Sequence, residues 1–228
     1  MWDDALIIVG AYLLGAIPVV YLLGRMRGFD LSKEEDMHIS LWHKVGRREG
    51  FTGIAWDVVK GGVAVVLLDK FTGYGWGTVT LVGLAVVVGL MWPVFLRGRG
   101  EKANTTSLGV SAAFCYEALP FLFGPILLGL LVRTVPRFLA PGQSMSERLK
   151  FGGPPSNSLP LGMLFGFGLF PLGCWIISQP WETVAVSAAI FVLIVIKRIT
   201  AGLREDLETA SNKKSVILNR ALFDRSYI

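Results

Sequence analysis

Residues Arg97 to Thr106 (RGRGEKANTT) place three cations, two glycines, an amide and two hydroxyls in one short run. Glycine lets backbone N–H groups come close to an anion. Arg97, Arg99 and Lys102 neutralise its charge, and a helix starting at Asn104, Thr105 and Thr106 offers its N-terminus. That is the make-up of a phosphate cradle, with Gly100 at its centre. The same cations would serve as anchors beside acidic lipid headgroups, and the residue types alone leave both readings open.

Asp57 and Lys60 lie three residues apart, hence on one helix face, inside an otherwise apolar stretch. Ionisable groups within a span are expensive and are usually paired toward the bundle interior. The expectation is a structural ion pair, with a role in fixing the neighbouring loop as the sharper alternative. His38 and His43 are the only histidines. Neither belongs to a recognisable metal motif, so no metal site is expected. A general-base histidine would need a partner that the local sequence does not supply. Cys115 and Cys174 sit in apolar stretches and read as small buried hydrophobes.

The elements that must carry these residues are membrane spans. The chain has 228 residues, of which 53% are hydrophobic and 17% charged. Its mean hydropathy is +0.56, too apolar for an ordinary soluble domain of this size. The net charge of +5 does not point to nucleic acid here, because Lys and Arg collect in the cytoplasmic loops of membrane proteins. Crossing a bilayer takes roughly 20 helical residues. Ala5–Gly24, Gly77–Leu96 and Leu159–Ser178 each provide 20 without a charge. Phe51–Leu68, Leu108–Leu131 and Thr183–Ile196 complete six apolar segments.

Charge argues for one crossing more. Six Lys/Arg fall in 25–53, three in 97–107, four in 133–150 and seven from Lys197 onward. Six crossings would put eleven of these twenty outside, against the positive-inside rule. Splitting Leu108–Leu139 near Pro120 brings all four groups to the cytoplasm, 20 of the 22 Lys/Arg. The fold class read from this is an all-α integral membrane protein. It is a bundle of about seven short transmembrane helices, N-terminus outside and C-terminus cytoplasmic. The bundle is expected over 1–198, with cytoplasmic loops at 25–50, 97–107 and 133–158 and a cytoplasmic tail at 199–228. Gln143–Ser158 reads as a flexible connector.

Four stretches then resemble a known family, the bacterial acyl-phosphate-dependent glycerol-3-phosphate acyltransferases. AYLLGAIPVVYLLGRMRGFDL is similar to the family's "AYLLGSIPxGYL…KGxDLR", and WDVVKGGVAVVL to "LDxxKGxxxVLL". GLMWPVFLRGRGEKANTTSLGV resembles "GHxxPVFLxFxGGKGVATxLGV", and VIKRITAGLRED resembles "NIxRLLxGxE". Order and spacing agree from Tyr12 to about Glu205. The resemblance implies a seven-helix bacterial inner-membrane enzyme of phospholipid synthesis. Its substrates would be acyl phosphate and glycerol 3-phosphate, or a related polyol phosphate, with membrane lipid around it and no cofactor.

By the same resemblance, Lys102 falls on the family's motif lysine and becomes the catalytic phosphate binder. Arg97, Arg99, Gly100, Asn104, Thr105, Thr106 and Arg198 are substrate-binding candidates. His43 falls where the family has an arginine and is the candidate replacement cation or base. The chain also departs from the pattern. KEEDMHISLWHK stands where "GSGNxGATNxxR" is expected, and its acids Glu34, Glu35 and Asp36 would repel phosphate. Glu101 and Ala103 replace two of the "GGKG" glycines, and Leu90, Val192 and Val195 replace polar positions. These losses raise a second reading: a non-catalytic family member that binds lipid or a protein partner.

Overall fold

Pro18 interrupts the first apolar stretch: helix α1 (Trp2–Ala16) stops before it and α2 (Val19–Met26) resumes after it. In this computed structural model, residues 2–142, 157–210 and 212–224 are described, apart from Lys33 and Glu35. The helices that follow are α3 (Met37–Ser40), α4 (Arg47–Phe71), α5 (Trp76–Met91) and α6 (Asn104–Phe114). Beyond them come α7 (Leu119–Leu139), α8 (Ser158–Ile176), α9 (Trp181–Thr200), α10 (Leu203–Thr209) and α11 (Lys213–Phe223). A π-helical turn, Leu41–Val45, follows α3. Among the described residues there is no strand, which agrees with the all-α expectation.

Six helical segments are long and apolar enough to cross a membrane: Trp2–Met26, Arg47–Phe71, Trp76–Leu96, Tyr116–Leu139, Ser158–Ile176 and Trp181–Thr200. The split expected within Leu108–Leu139 is present but lies a few residues earlier than Pro120. Cys115 is extended, a 3₁₀ turn covers Tyr116–Ala118, and Pro120 sits in the first turn of α7. A proline there gives up an N–H that no helical carbonyl would have accepted. The piece split off, α6, has 11 residues. It rises only about 16 Å and is not among the six candidate spans.

The described chain forms two compact units: Met1–Tyr116 with Gln179–Ile190, and Glu117–Ser178 with Phe191–Ile228. In the first, α5 is the central helix. Val79, Val82, Val86, Val87 and Met91 are all buried, with α1 on one flank and α4 and α6 on another. Tyr12 donates its hydroxyl hydrogen bond to the Trp92 carbonyl at 2.8 Å, and Trp76 Nε1 donates to Thr183 Oγ1 at 2.8 Å. The α4–α6 seam is close because Gly61 lies against the Thr106 backbone and Gly109 against the Val58 carbonyl. Small residues allow this approach where no hydrophobic force holds helices together in lipid. Val20, Leu31, Met37 and Leu41 form a buried cluster that ties α2, α3 and the π turn together.

In the second unit α7 packs on α8, and Ser158 Oγ donates to the Gly129 carbonyl at 2.8 Å. Residues 199–228, expected as a tail, are helical over α10 and α11, with residues 225–228 outside the description. Of the 133–158 loop, residues 133–139 continue α7 and residues 143–156 lie outside the described residues. From α11, Arg220 reaches back. Its guanidinium donates to the Asp206 carboxylate and to the Arg198 and Ala201 carbonyls, at and just beyond the end of α9. Those carbonyls have no intrahelical partner, so a cation placed there caps the helix.

Candidate functional site

Pro93 ends α5, and a 3₁₀ turn over Val94–Leu96 leads into a loop folded back on the end of that helix. Arg97, Gly98 and Ala103 all take left-handed backbone angles, with φ of 52°, 78° and 58°. Non-glycine residues adopt that region infrequently. The Glu101 N–H donates to the Leu90 carbonyl at 3.2 Å. Gly100 is pressed against the Leu90 and Met91 carbonyls, so that a Cβ there would overlap backbone. This clamps the loop and sets Ala103 as the cap from which α6 begins.

The candidate donors along this loop and the start of α6 differ in exposure. Arg97 and Arg99 are exposed, while Lys102, Asn104 and Thr105 are half-buried and Thr106 is fully buried. Asn104 Oδ1, Thr106 Oγ1 and Ser107 Oγ are buried and have no hydrogen-bond partner among the described residues. Buried polar atoms are nearly always paired, so three orphans in one helical turn call for an explanation such as a ligand or water. The helix N-terminus adds its own partial positive charge.

Beneath the loop lies a buried charged cluster. Asp57 and Lys60 meet at 2.7 Å, and Lys60 Nζ also donates to the Gly15 carbonyl at 3.2 Å. His38 Nε2 stands 3.0 Å from the second oxygen of Asp57 and 2.7 Å from Glu101 Oε2. A small cleft opens beside it, walled by Pro18, Tyr21, Leu90 and Leu96, with Asp57 and Glu101 as its charged lining. Burial works against a charged His38, but the Glu101 and Asp57 carboxylates outweigh it and lift its pKa to about 11. Burial pushes the Glu101 carboxyl up, and His38 pulls it back.

The ligand atoms of His38, Asp57 and Glu101 all lie within 4.8 Å of one another, a donor set that suits a divalent cation. Charge argues otherwise. Lys60 already occupies one Asp57 oxygen, and two carboxylates with an ammonium and an imidazolium sum to zero. A divalent ion added to them would leave uncompensated charge in a buried site.

Two acids of the 34–36 run, Glu34 and Asp36, are engaged by neighbouring groups. Glu34 accepts from Lys44 Nζ at 2.6 Å and from Ser40 Oγ at 2.9 Å. These two donors hold its carboxyl below the ordinary range. Asp36 caps α3, accepting from the Ile39 N–H at 2.9 Å, and Glu35 lies outside the described residues. His43 is exposed on the π turn, away from the charged cluster, where His38 stands instead. Sequence reading weighed His38 but found no partner for it, and met Glu101 only as a departure from a family motif; the contact between them is what the fold adds. Arg198 belongs to the second unit. It is fully buried, its Nη1 donates to the Pro160 carbonyl at 3.1 Å, and its Nε and Nη2 have no partner among the described residues.

Comparison with known proteins bears on the whole chain. Residues 5–204 match the family model described as glycerol-3-phosphate acyltransferase. Glycerol-3-phosphate acyltransferase 5 of Dehalococcoides mccartyi is 31% identical over 223 residues, 95% of this chain and 86% of that protein. Glycerol-3-phosphate acyltransferase 4 of another strain of that organism is 28% identical over 230 residues, covering 96% and 88%. The crystal structure of PlsY (YgiH), an integral membrane glycerol 3-phosphate acyltransferase, in its glycerol 3-phosphate form, shares the fold. The TM-score is 0.68 over 90% of each chain, at 22% identity.

Proposed function

The chain belongs to the glycerol-3-phosphate acyltransferase family, and from that premise we propose that it moves a fatty acyl group from acyl phosphate to the 1-hydroxyl of glycerol 3-phosphate. It is a multi-pass membrane acyltransferase of phospholipid synthesis. Acyl phosphate as donor follows from the motif resemblance. The hydroxyl oxygen bonds to the acyl carbonyl carbon, the bond from that carbon to the phosphate oxygen breaks, and the hydroxyl proton leaves with inorganic phosphate. No side-chain nucleophile enters, so the protein contributes positioning and charge stabilisation.

The observation that carries this reading is the start of α6. The Thr106 and Ser107 hydroxyls, which can donate to an anion, are buried without partners among the described residues near the start of a helix that begins two residues after Lys102. In this reading Lys102 binds phosphate and stabilises the charge that develops on it. Asn104, Thr105 and Thr106 are accessory groups, and Gly100 holds the loop down. Arg97 and Arg99, exposed on the same loop, draw the anionic substrates in. His43, exposed on its π turn, stands as the candidate replacement, cation or base, for the family's arginine. Arg198, with two unpaired guanidinium nitrogens, serves as an anion-binding group within its own unit.

The orientation that fits is seven crossings, N-terminus outside and C-terminus cytoplasmic, in the bacterial inner membrane. Its support is the distribution of Lys and Arg along the chain.

The test is acyl transfer by the purified protein in detergent, with acyl phosphate and glycerol 3-phosphate. Lys102→Ala is expected to lower turnover by about 10²–10³-fold, the usual cost of losing one charge-stabilising donor. Turnover indifferent to that change would remove Lys102 from the site. No turnover by a folded wild-type protein would leave a lipid- or partner-binding bundle.

A further inference from the structure

We propose that His38 and Glu101 work as a single positioning device that fixes the Lys102 loop. The idea rests on the reading of that loop as the phosphate site. Glu101 immediately precedes Lys102, and an acid there would ordinarily oppose an incoming phosphate. In the structure its carboxylate turns inward, and Oε2 lies 2.7 Å from His38 Nε2. His38 in turn is held by Asp57 at 3.0 Å, and Asp57 by Lys60 at 2.7 Å. The result is a chain of alternating charge that runs from α4 through α3 to the loop.

Two consequences follow from that geometry. The negative charge of Glu101 is turned inward onto His38, so it does not offset the cations Arg97, Arg99 and Lys102 of the same loop. The loop also gains a side-chain tether beside its backbone one, the Glu101 N–H to the Leu90 carbonyl. Both anchors sit on the residue next to Lys102, so small movements of Glu101 carry directly to the Lys102 backbone.

His38 itself is anchored independently of the loop. Met37 and Leu41, on either side of it, belong to the buried cluster with Val20 and Leu31, and the Asp36 cap fixes the start of α3. The imidazole is therefore presented to Glu101 by packed elements. Two of the places where this chain departs from the family motifs, Glu101 and the α3 segment, compensate each other across the fold.

The test uses the full-length protein with His38→Gln, Glu101→Gln and the double substitution. Two readings are taken: steady-state acyl transfer, and amide hydrogen exchange over residues 97–106. Each single change should lower kcat/KM about 10–100-fold, mainly through KM for glycerol 3-phosphate, and raise exchange in that loop. The double variant should be no worse than the weaker single, because the groups act as one unit. His38→Lys, which keeps the cation, should restore both readings toward wild type. Effects that multiply in the double variant, exchange unchanged in every variant, or failure of His38→Lys to rescue would each overturn the proposal. If the wild type transfers no acyl group, the phosphate-site reading falls, while the exchange coupling still decides whether the tether exists.

Discussion

Lys60 Nζ stands 2.7 Å from Asp57 Oδ1 and 3.2 Å from the Gly15 carbonyl, joining α4 to α1 through a fully buried cation. Neither partner can be removed alone without stranding a charge away from water. Lys60→Met should therefore destabilise the protein by about 3–5 kcal/mol, as for other broken buried pairs. Asp57→Asn should cost a similar amount and also loosen His38. The double variant Asp57→Asn/Lys60→Met should be less destabilised than the sum of the singles, since no unpaired charge remains from the pair. Thermal melting in detergent checks all three.

His38 gives the protein a dependence on pH of definite sign. Its pKa rises from an ordinary 6.5 to about 11 on folding, so the folded state holds the proton more tightly. The stability this confers is complete below pH 6.5 and is lost as pH climbs toward about 11. Melting temperature should fall between pH 7 and pH 10, and His38→Gln should flatten that slope while lowering the acid-side plateau. An unchanged slope in the variant would assign the effect to another group.

Arg220 holds the second unit's terminal helices to the end of α9 by bonding Asp206 and the Ala201 and Arg198 carbonyls together. Arg220→Ala should cost about 1–3 kcal/mol, the usual penalty for stranding a charged hydrogen-bond partner. It should also raise hydrogen exchange across residues 201–224. Arg220→Lys should rescue little, because one ammonium cannot reproduce a fork that spans a carboxylate and two carbonyls.

Much of this was legible in the residues, and what was not has a physical cause. Span lengths and the break within 108–139 follow from hydropathy and proline, both local signals. The break sits at Cys115–Ala118 instead of Pro120 because a proline in the first turn starts a helix as readily as it stops one. The Asp57–Lys60 contact was readable because three-residue spacing fixes a helix face. The His38–Glu101 contact was not, because it joins α3 to a loop far along the chain and nothing local marks either residue for the other. The run of acids misled for a related reason. Charge counting treats Glu34 and Asp36 as free anions, whereas Lys44, Ser40 and a helix cap use them.

Gly100 supplies the sharpest separation between positioning and stability. A methyl group there would overlap the Leu90 and Met91 carbonyls and the Pro93 ring, all of which are backbone or rigid. The neighbours cannot yield, so in Gly100→Ala the loop must lift, and Lys102 two residues on must move with it. Displacements near 1 Å at a positioned group cost about 100-fold in rate. Acyl transfer should therefore drop about that far, while the melting temperature changes little, because the spans beneath keep their contacts. Equal loss of activity and of melting temperature would show instead that the loop is part of the bundle's core, and that the left-handed turn at Ala103 depends on it.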